Sequence, residues 1–221
     1  MKPFILLNYK TYDEGTGSRA VSVAEACSAV SEESGVEIAA APQLPDIYRV
    51  ASSVNVPVFA QHVDGYGPGG HTGSIYAKCL KEAGAVGCMI NHSEKRLTLA
   101  DIESSLKAAK ECSFRTVICT NNVATTVAAA SLCPDYVAIE PPELIGSGIP
   151  VSKADPGVVS DSVDAVRKIA PSVKVLCGAG ISKGEDLKTA VELGAEGVLL
   201  ASGIIKAKDP KAALEDLVSL I

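Results

Sequence analysis

Eight short apolar runs, spaced almost evenly along 221 residues, constrain this chain more than any other feature. They are FILLNYK (4–10), VEIAAAP (36–42), VPVFAQH (56–62), VGCMINH (86–92), RTVICTN (115–121), DYVAIEP (135–141), VKVLCGA (173–179) and EGVLLAS (196–202). Each is nearly continuous in apolar residues instead of alternating with polar ones. That is the signature of strands covered on both faces, as in a parallel sheet.

Amphipathic segments lie between the runs. Residues 19–34 place Val23, Ala26, Cys27 and Val30 on one helical stripe. The segment 97–112 opens with Thr98 and Asp101, the spacing of a capping box, and 181–195 opens with Ser182 and Glu185 at the same spacing. Asp155-Pro156 and Asp209-Pro210 each offer an N-cap followed by a proline at the first helical position. Gly194 stops the 181–195 helix. Eight strand–helix units without a linker predict a single domain over residues 1–221. The expected fold is α/β, a closed (β/α)8 barrel of eight parallel strands, more compact than the usual ~250 residues. An open doubly wound sheet is the alternative that strand count does not exclude.

Composition narrows the function. A net charge of −6 and the lack of any Lys/Arg cluster beyond short pairs argue against nucleic acid as a partner. No apolar run approaches the ~18 residues of a membrane span. Seven cysteines, odd in number and in no C-x-x-C pair, fit a reducing cytoplasm. Three histidines without paired ligands point to no metal.

In a barrel the active site forms at the C-terminal ends of the strands. The first run ends in Asn8, Tyr9 and Lys10, the fourth in Asn91-His92, and the sixth in Glu140. His92 reads either as a structural histidine or as a neutral imidazole that polarises a carbonyl. In the second reading Ser93 caps a short helical turn whose N–H groups face the ring. Glu140 is either a solvated strand terminus or a base for a carbon acid. Lys10 is either solvated or an anchor for an anion, which a chain of net charge −6 has to attract locally. Glycines after runs seven and eight, in CGAGISKGED (177–186) and ASGIIKAKDP (201–210), suit backbone binding of a phosphate. Between Pro141-Pro142 and Asp155-Pro156 a long loop carries Gly146 and Gly148. Stiff ends around a glycine pair fit either a lid or an ordinary connection.

Taken in order, NYK, HSEKR, EPPELIGSG and the two glycine loops resemble the triosephosphate isomerase family. That family shows N-x-K, H-S-E-[RK]-R and E-P-x-x-x-I-G-x-G in this order. The likeness spans the whole chain, and the short length with CGAGIS looks like the archaeal-type branch. It implies a (β/α)8 TIM barrel that interconverts dihydroxyacetone phosphate and D-glyceraldehyde 3-phosphate through an enediolate, in glycolysis and gluconeogenesis, without a cofactor. It implies Glu140 as the base, His92 as the neutral electrophile, Lys10 as the charge anchor and Asn8 as the group orienting the carbonyl. Ser93 and Glu94 would support the site, Glu94 through Lys10. Tyr9, Ile145, Gly146, Gly180, Ala201 and Ser202 would join Asn8 and Lys10 in binding substrate, with loop 141–151 as the lid. These roles are the family's own, carried over and not deduced separately. The family also implies a homo-oligomer, a tetramer more than a dimer, and the glycine-rich segment 62–74 is either an interface or a surface loop.

Three departures stand out. Cys177-Gly178-Ala179-Gly180 replaces the family's Tyr-Gly-Gly-Ser, Ala201-Ser202 replaces Gly-Gly, and Glu143 occupies the lid's tryptophan position. Another phosphate-binding barrel enzyme, acting on a larger sugar phosphate, and a barrel kept as a non-catalytic binding module are the competing readings.

Overall fold

The computed structural model describes residues 2–145 and 149–221, with the backbone alone at Glu143. Among them are eight strands: β1 Phe4–Asn8, β2 Glu37–Ala41, β3 Phe59–Ala60, β4 Gly87–Ile90, β5 Arg115–Thr120, β6 Tyr136–Ile139, β7 Lys174–Gly178 and β8 Gly197–Leu200. The helices are α1 Ser18–Ser34, α2 Ile47–Ala51, α3 Ala77–Glu82, α4 Leu99–Glu111, α5 Val123–Ala130, α6 Val151–Ala154, α7 Pro156–Ile169, α8 Gly184–Glu192, α9 Ser202–Ile205 and α10 Pro210–Val218.

All ladders are parallel, and the strands follow the order β2-β1-β8-β7-β6-β5-β4-β3. β1 pairs with both β2 and β8, which rules out an open sheet with the ends of the chain at its edges. The remaining seam, β2 to β3, is held by one parallel bridge, Ala40 to Val58. Pro57 lacks an N–H and cannot extend the ladder backwards, so β3 is two residues long. The carbonyl of Pro57 still accepts from the Ala40 N–H at 2.9 Å. At the top of this seam a side chain replaces the ladder: Gln61 Nε2 donates to the carbonyls of Ala41 (3.0 Å) and Lys10 (2.9 Å).

Alternation along each strand splits the core in two. Ile5, Leu7, Ile38, Ile90, Ile118 and Ile139 face outward against the helices. Phe4, Leu6, Met89, Val117, Tyr136, Leu176 and Leu199 fill the barrel interior. Both faces are therefore apolar, which is why the sequence shows continuous runs.

The expected caps on α4, α7 and α10 are present: Thr98, Asp155 and Asp209 each accept from a first-turn N–H. The start of α8 is corrected. Ser182 and Glu185 form no box; the Asp186 carboxylate instead receives the N–H groups of Ser182 and Lys183. The strand runs also end earlier than their apolar stretches. β4 stops at Ile90 because Asn91 turns left-handed, with φ at 63°.

Candidate active site

The site is built where five of these strands, β1, β4, β6, β7 and β8, release their last residues. β1 sends Phe4 and Leu6 inward, so alternation carries Asn8 inward as well, and Lys10 lines the same cavity. Tyr9, one residue out of phase, points the other way. It is fully buried in the outer core beside Cys27 of α1 and does not line the cavity, which corrects its expected role as a substrate contact. Asn8 accepts the Lys10 N–H on Oδ1 at 2.9 Å, leaving Nδ2 as the donor aimed into the site. Lys10 sits at φ 48°, an uncommon conformation for a residue with a side chain. Its Nζ lies 2.8 Å from Glu94 Oε1, with the lysine side chain mostly buried and the glutamate mostly exposed.

His92 reaches the site by a different device. Met89 faces inward and Ile90 outward, so simple alternation would aim residue 92 outward. The left-handed turn at Asn91 breaks that phase. Asn91 is locked by two bonds of its own, Nδ2 to the Cys119 carbonyl (3.0 Å) and Oδ1 from the Leu97 N–H (2.8 Å). The next turn is a single hydrogen-bonded one, Lys95 N–H to His92 C=O at 2.7 Å, and not a helix. The Ser93 hydroxyl caps nothing. It is buried with no hydrogen-bond partner among the described residues, so its expected capping role is withdrawn.

The backbone nevertheless does what the cap was expected to do. Glu94 N–H donates to His92 Nδ1 at 3.2 Å. An accepting Nδ1 carries no proton, so this contact goes with the tautomer that has its proton on Nε2. The Glu94 carboxylate also lies 3.6 Å from Nδ1. It is largely solvated and already paired with Lys10, so the closer N–H contact decides the tautomer. Asn8 Nδ2 lies 3.5 Å from His92 Nε2. With both atoms as donors this is not a bond between them. It is a pair of donors aimed at one oxygen.

Glu140 follows the inward phase of Tyr136 and Ala138. It is buried, and its Oε2 has no hydrogen-bond partner among the described residues while standing 3.6 Å from His92 Nε2. Burial away from water holds its carboxyl above the ordinary carboxylate value, against the opposing pull of His92. The room for this side chain comes from Gly178, which faces inward at the same level on β7. A Cβ there would overlap Glu140 Cγ. The sequence reading missed this residue. Its signal was available, because a glycine two residues beyond inward-facing Leu176 marks a close approach.

Asn8, Lys10, His92 and Glu140 border a cavity of about 100 Å³, lined also by Tyr12, Ile145, Gly180, Ile181, Ala201, Ser202 and Gly203. Tyr12 is the second residue the sequence reading passed over; Lys206 covers its ring at 4.2 Å. Gly180 has φ 73°, and a Cβ there would overlap the Ile149 carbonyl. The N–H groups of Ser202 and Gly203 precede the first intrahelical bond of α9, from Ile204 N–H to Ala201 C=O. The glycine loops thus line the same cavity as the donors of Asn8, Lys10 and His92. Gly146 lies outside the described residues, as does the side chain of Glu143.

The family model described as "Triosephosphate isomerase" matches residues 3–221. The triosephosphate isomerase of Methanosarcina barkeri is 75% identical over 219 residues, covering 99% of each chain. That of Methanococcoides burtonii is 72% identical over 221 residues, the full length of both. Among solved structures, the crystal structure of triosephosphate isomerase from Bartonella henselae superposes with a TM-score of 0.77 at 20% identity. It covers all of this chain and 98% of its own, a likeness of fold.

Proposed function

The chain belongs to the triosephosphate isomerase family, and from that premise we propose how its own residues interconvert dihydroxyacetone phosphate and D-glyceraldehyde 3-phosphate. Glu140 Oε2 removes the proton from C1 of dihydroxyacetone phosphate. The electron pair passes through C2 onto the carbonyl oxygen and leaves an enediolate. His92 Nε2–H, Asn8 Nδ2–H and the Lys10 ammonium stabilise that oxygen as its charge develops. Glu140 then delivers its proton to C2, while the hydroxyl proton moves from O1 to O2 past the imidazole that spans both. No proton is gained or lost overall.

One observation carries this reading: a buried, unpartnered carboxylate oxygen stands 3.6 Å from a histidine whose other nitrogen accepts a backbone N–H. Burial makes Glu140 a stronger base than a solvated carboxylate, and the accepting Nδ1 keeps His92 a neutral donor. Gly180, Ala201 and Ser202 are assigned to the substrate phosphate, Ile145 and Gly146 to the lid, and Glu94 to holding Lys10. The residues 1–221 act as one catalytic domain. Cytoplasmic placement is supported by seven free cysteines, and among the described residues no helix is long and apolar enough to cross a membrane. A homotetramer is the favoured assembly, by resemblance to the archaeal-type branch.

The test is a coupled assay of triose phosphate interconversion. The wild-type chain is expected to be active. His92→Gln should lower kcat by about 10²- to 10³-fold, the usual loss for one oxyanion donor. Lys10→Met should raise KM steeply. Wild-type rates in His92→Gln would remove the electrophile from the scheme.

A further inference from the structure

One buried carboxylate lines no part of the cavity, yet joins the two segments against which the substrate phosphate would rest. Asp186, in the first turn of α8, is 0% exposed. Its Oδ2 accepts from the Ser182 N–H (3.2 Å), the Ser182 hydroxyl (3.3 Å) and the Lys183 N–H (3.3 Å). Its Oδ1 has no regularly aligned hydrogen bond, but Lys153 Nζ stands 2.8 Å away. That contact is an ion pair, and it holds the lysine above its usual value.

Lys153 belongs to α6, just beyond Ile149 and Pro150. The same short segment touches the loop after β7 twice more. Val151 N–H donates to the Ala179 carbonyl at 3.3 Å, and the Ile149 carbonyl lies against Gly180. Ser182, held on two atoms by Asp186, lines the cavity itself. Among the described residues, the charge partner of the Asp186 carboxylate is thus a lysine on the neighbouring segment. Removing that partner leaves a buried anion uncompensated, so the two segments cannot separate freely.

We infer that Asp186 and Lys153 form a latch that sets the spacing between the loop 179–183 and the segment beginning at Ile149, and thereby positions the substrate phosphate without touching it. This rests on the assignment of Gly180 and its neighbours to the phosphate. Both residues are positioning residues. Their effect reaches the reaction only through the phosphate, whose binding energy is drawn on at the distant reacting carbons.

The experiment compares D-glyceraldehyde 3-phosphate with unphosphorylated D-glyceraldehyde in the wild type, Lys153→Met, Asp186→Asn and the double variant. Inorganic phosphate serves as a competitive probe. In each variant kcat/KM for the phosphorylated substrate should fall about 10-fold or more, toward the ~10²-fold that small misplacements cause. KM and the phosphate inhibition constant should rise together, and D-glyceraldehyde turnover should stay within about twofold, as expected when only remote binding energy is lost. The double variant should be no worse than the poorer single one, because the pair acts as a unit. Equal losses on both substrates, or no loss on either, overturn the latch. If Asp186→Asn does not fold, Lys153→Met decides alone, since Lys153 is 43% exposed on the surface. A wild type that gains nothing from the phosphate group refutes the phosphate assignment, and the latch with it. A wild type that gains strongly, with variants that gain as much, refutes only the latch.

Discussion

At the N-terminal end of the barrel interior, Phe4 packs on Phe59 with ring centroids 5.9 Å apart and on Tyr136 at 5.1 Å. Arg115 closes this end, its guanidinium 5.2 Å from the Phe4 ring and paired with Glu37 at 2.8 Å. At the C-terminal end, later inward positions carry Asn8 after the same β1, Glu140 after the same β6, and Gly178 on β7. On β1 and β6 the change occurs between one inward residue and a later one: Phe4 against Asn8, and Tyr136 against Glu140. The lower layer satisfies its groups with one another. The upper layer leaves a carboxylate oxygen without a hydrogen-bond partner among the described residues, two donors facing each other and a lysine in a left-handed conformation. Groups held in place for chemistry cost the fold stability, and the ring cluster with its ion pair lies at the opposite end.

The sharpest way to break this contrast is at Glu140. Glu140→Gln should cut kcat by about 10²- to 10⁴-fold, the range for a lost general base. It should also raise the melting temperature at neutral pH, because it removes a buried charge. The sign follows from the raised folded value. A carboxyl held above its ordinary value of 4.5 loses stability as pH rises through the folded value, and is equally protonated in both states well below 4.5. The thermal gain of the variant should therefore vanish in acid and grow toward neutrality, as paired melting curves would read. Wild-type kcat/KM should rise with pH through a midpoint above the ordinary carboxylate range.

A smaller effect is expected at Gly178. Gly178→Ala forces Glu140 to move, and a shift of that size costs about 10² in kcat/KM. An unchanged rate would show that Gly178 does not make room for the base. At the opposite end, Phe4→Ala should destabilise by about 3–5 kcal/mol, as for a buried phenylalanine in a packed core. Steady-state constants measured well below its melting temperature should stay at wild-type values. A loss of activity there would erase the division between the two ends.

Much of this was legible in one dimension. Helix caps at Thr98, Asp155 and Asp209 depend on residues three positions apart, and they appear where the sequence places them. The cap at α8 was misread by one residue because Glu185 and Asp186 both offer a carboxylate that can reach back, and burial of Asp186 chose between them. Tyr9 was legible in principle, since a residue between two inward neighbours faces outward. Reading NYK as a motif hid that alternation. His92 is the reverse case. Its inward direction contradicts the phase of β4, and the left-handed turn at Asn91, held by a long-range bond to Cys119 and a local one from Leu97, explains it.

By itself the sequence determined the eight strands, their parallel sense and most of the residues placed at their ends, because periodicity, proline and capping act over a few positions. It also placed Asn8 and Glu140 inward, as each continues its strand's alternation. The tertiary structure alone decided what depends on distant segments sharing space. Pairing of β1 with β8 brings residues 8, 92 and 140 around one cavity. Asn91 is locked by Cys119 and turns His92 inward. Gly178 vacates the volume Glu140 fills, and Asp186 finds its counter-charge on Lys153, 33 positions earlier. Local torsional preferences are written in neighbouring residues. Steric room and charge compensation exist only once the barrel has closed.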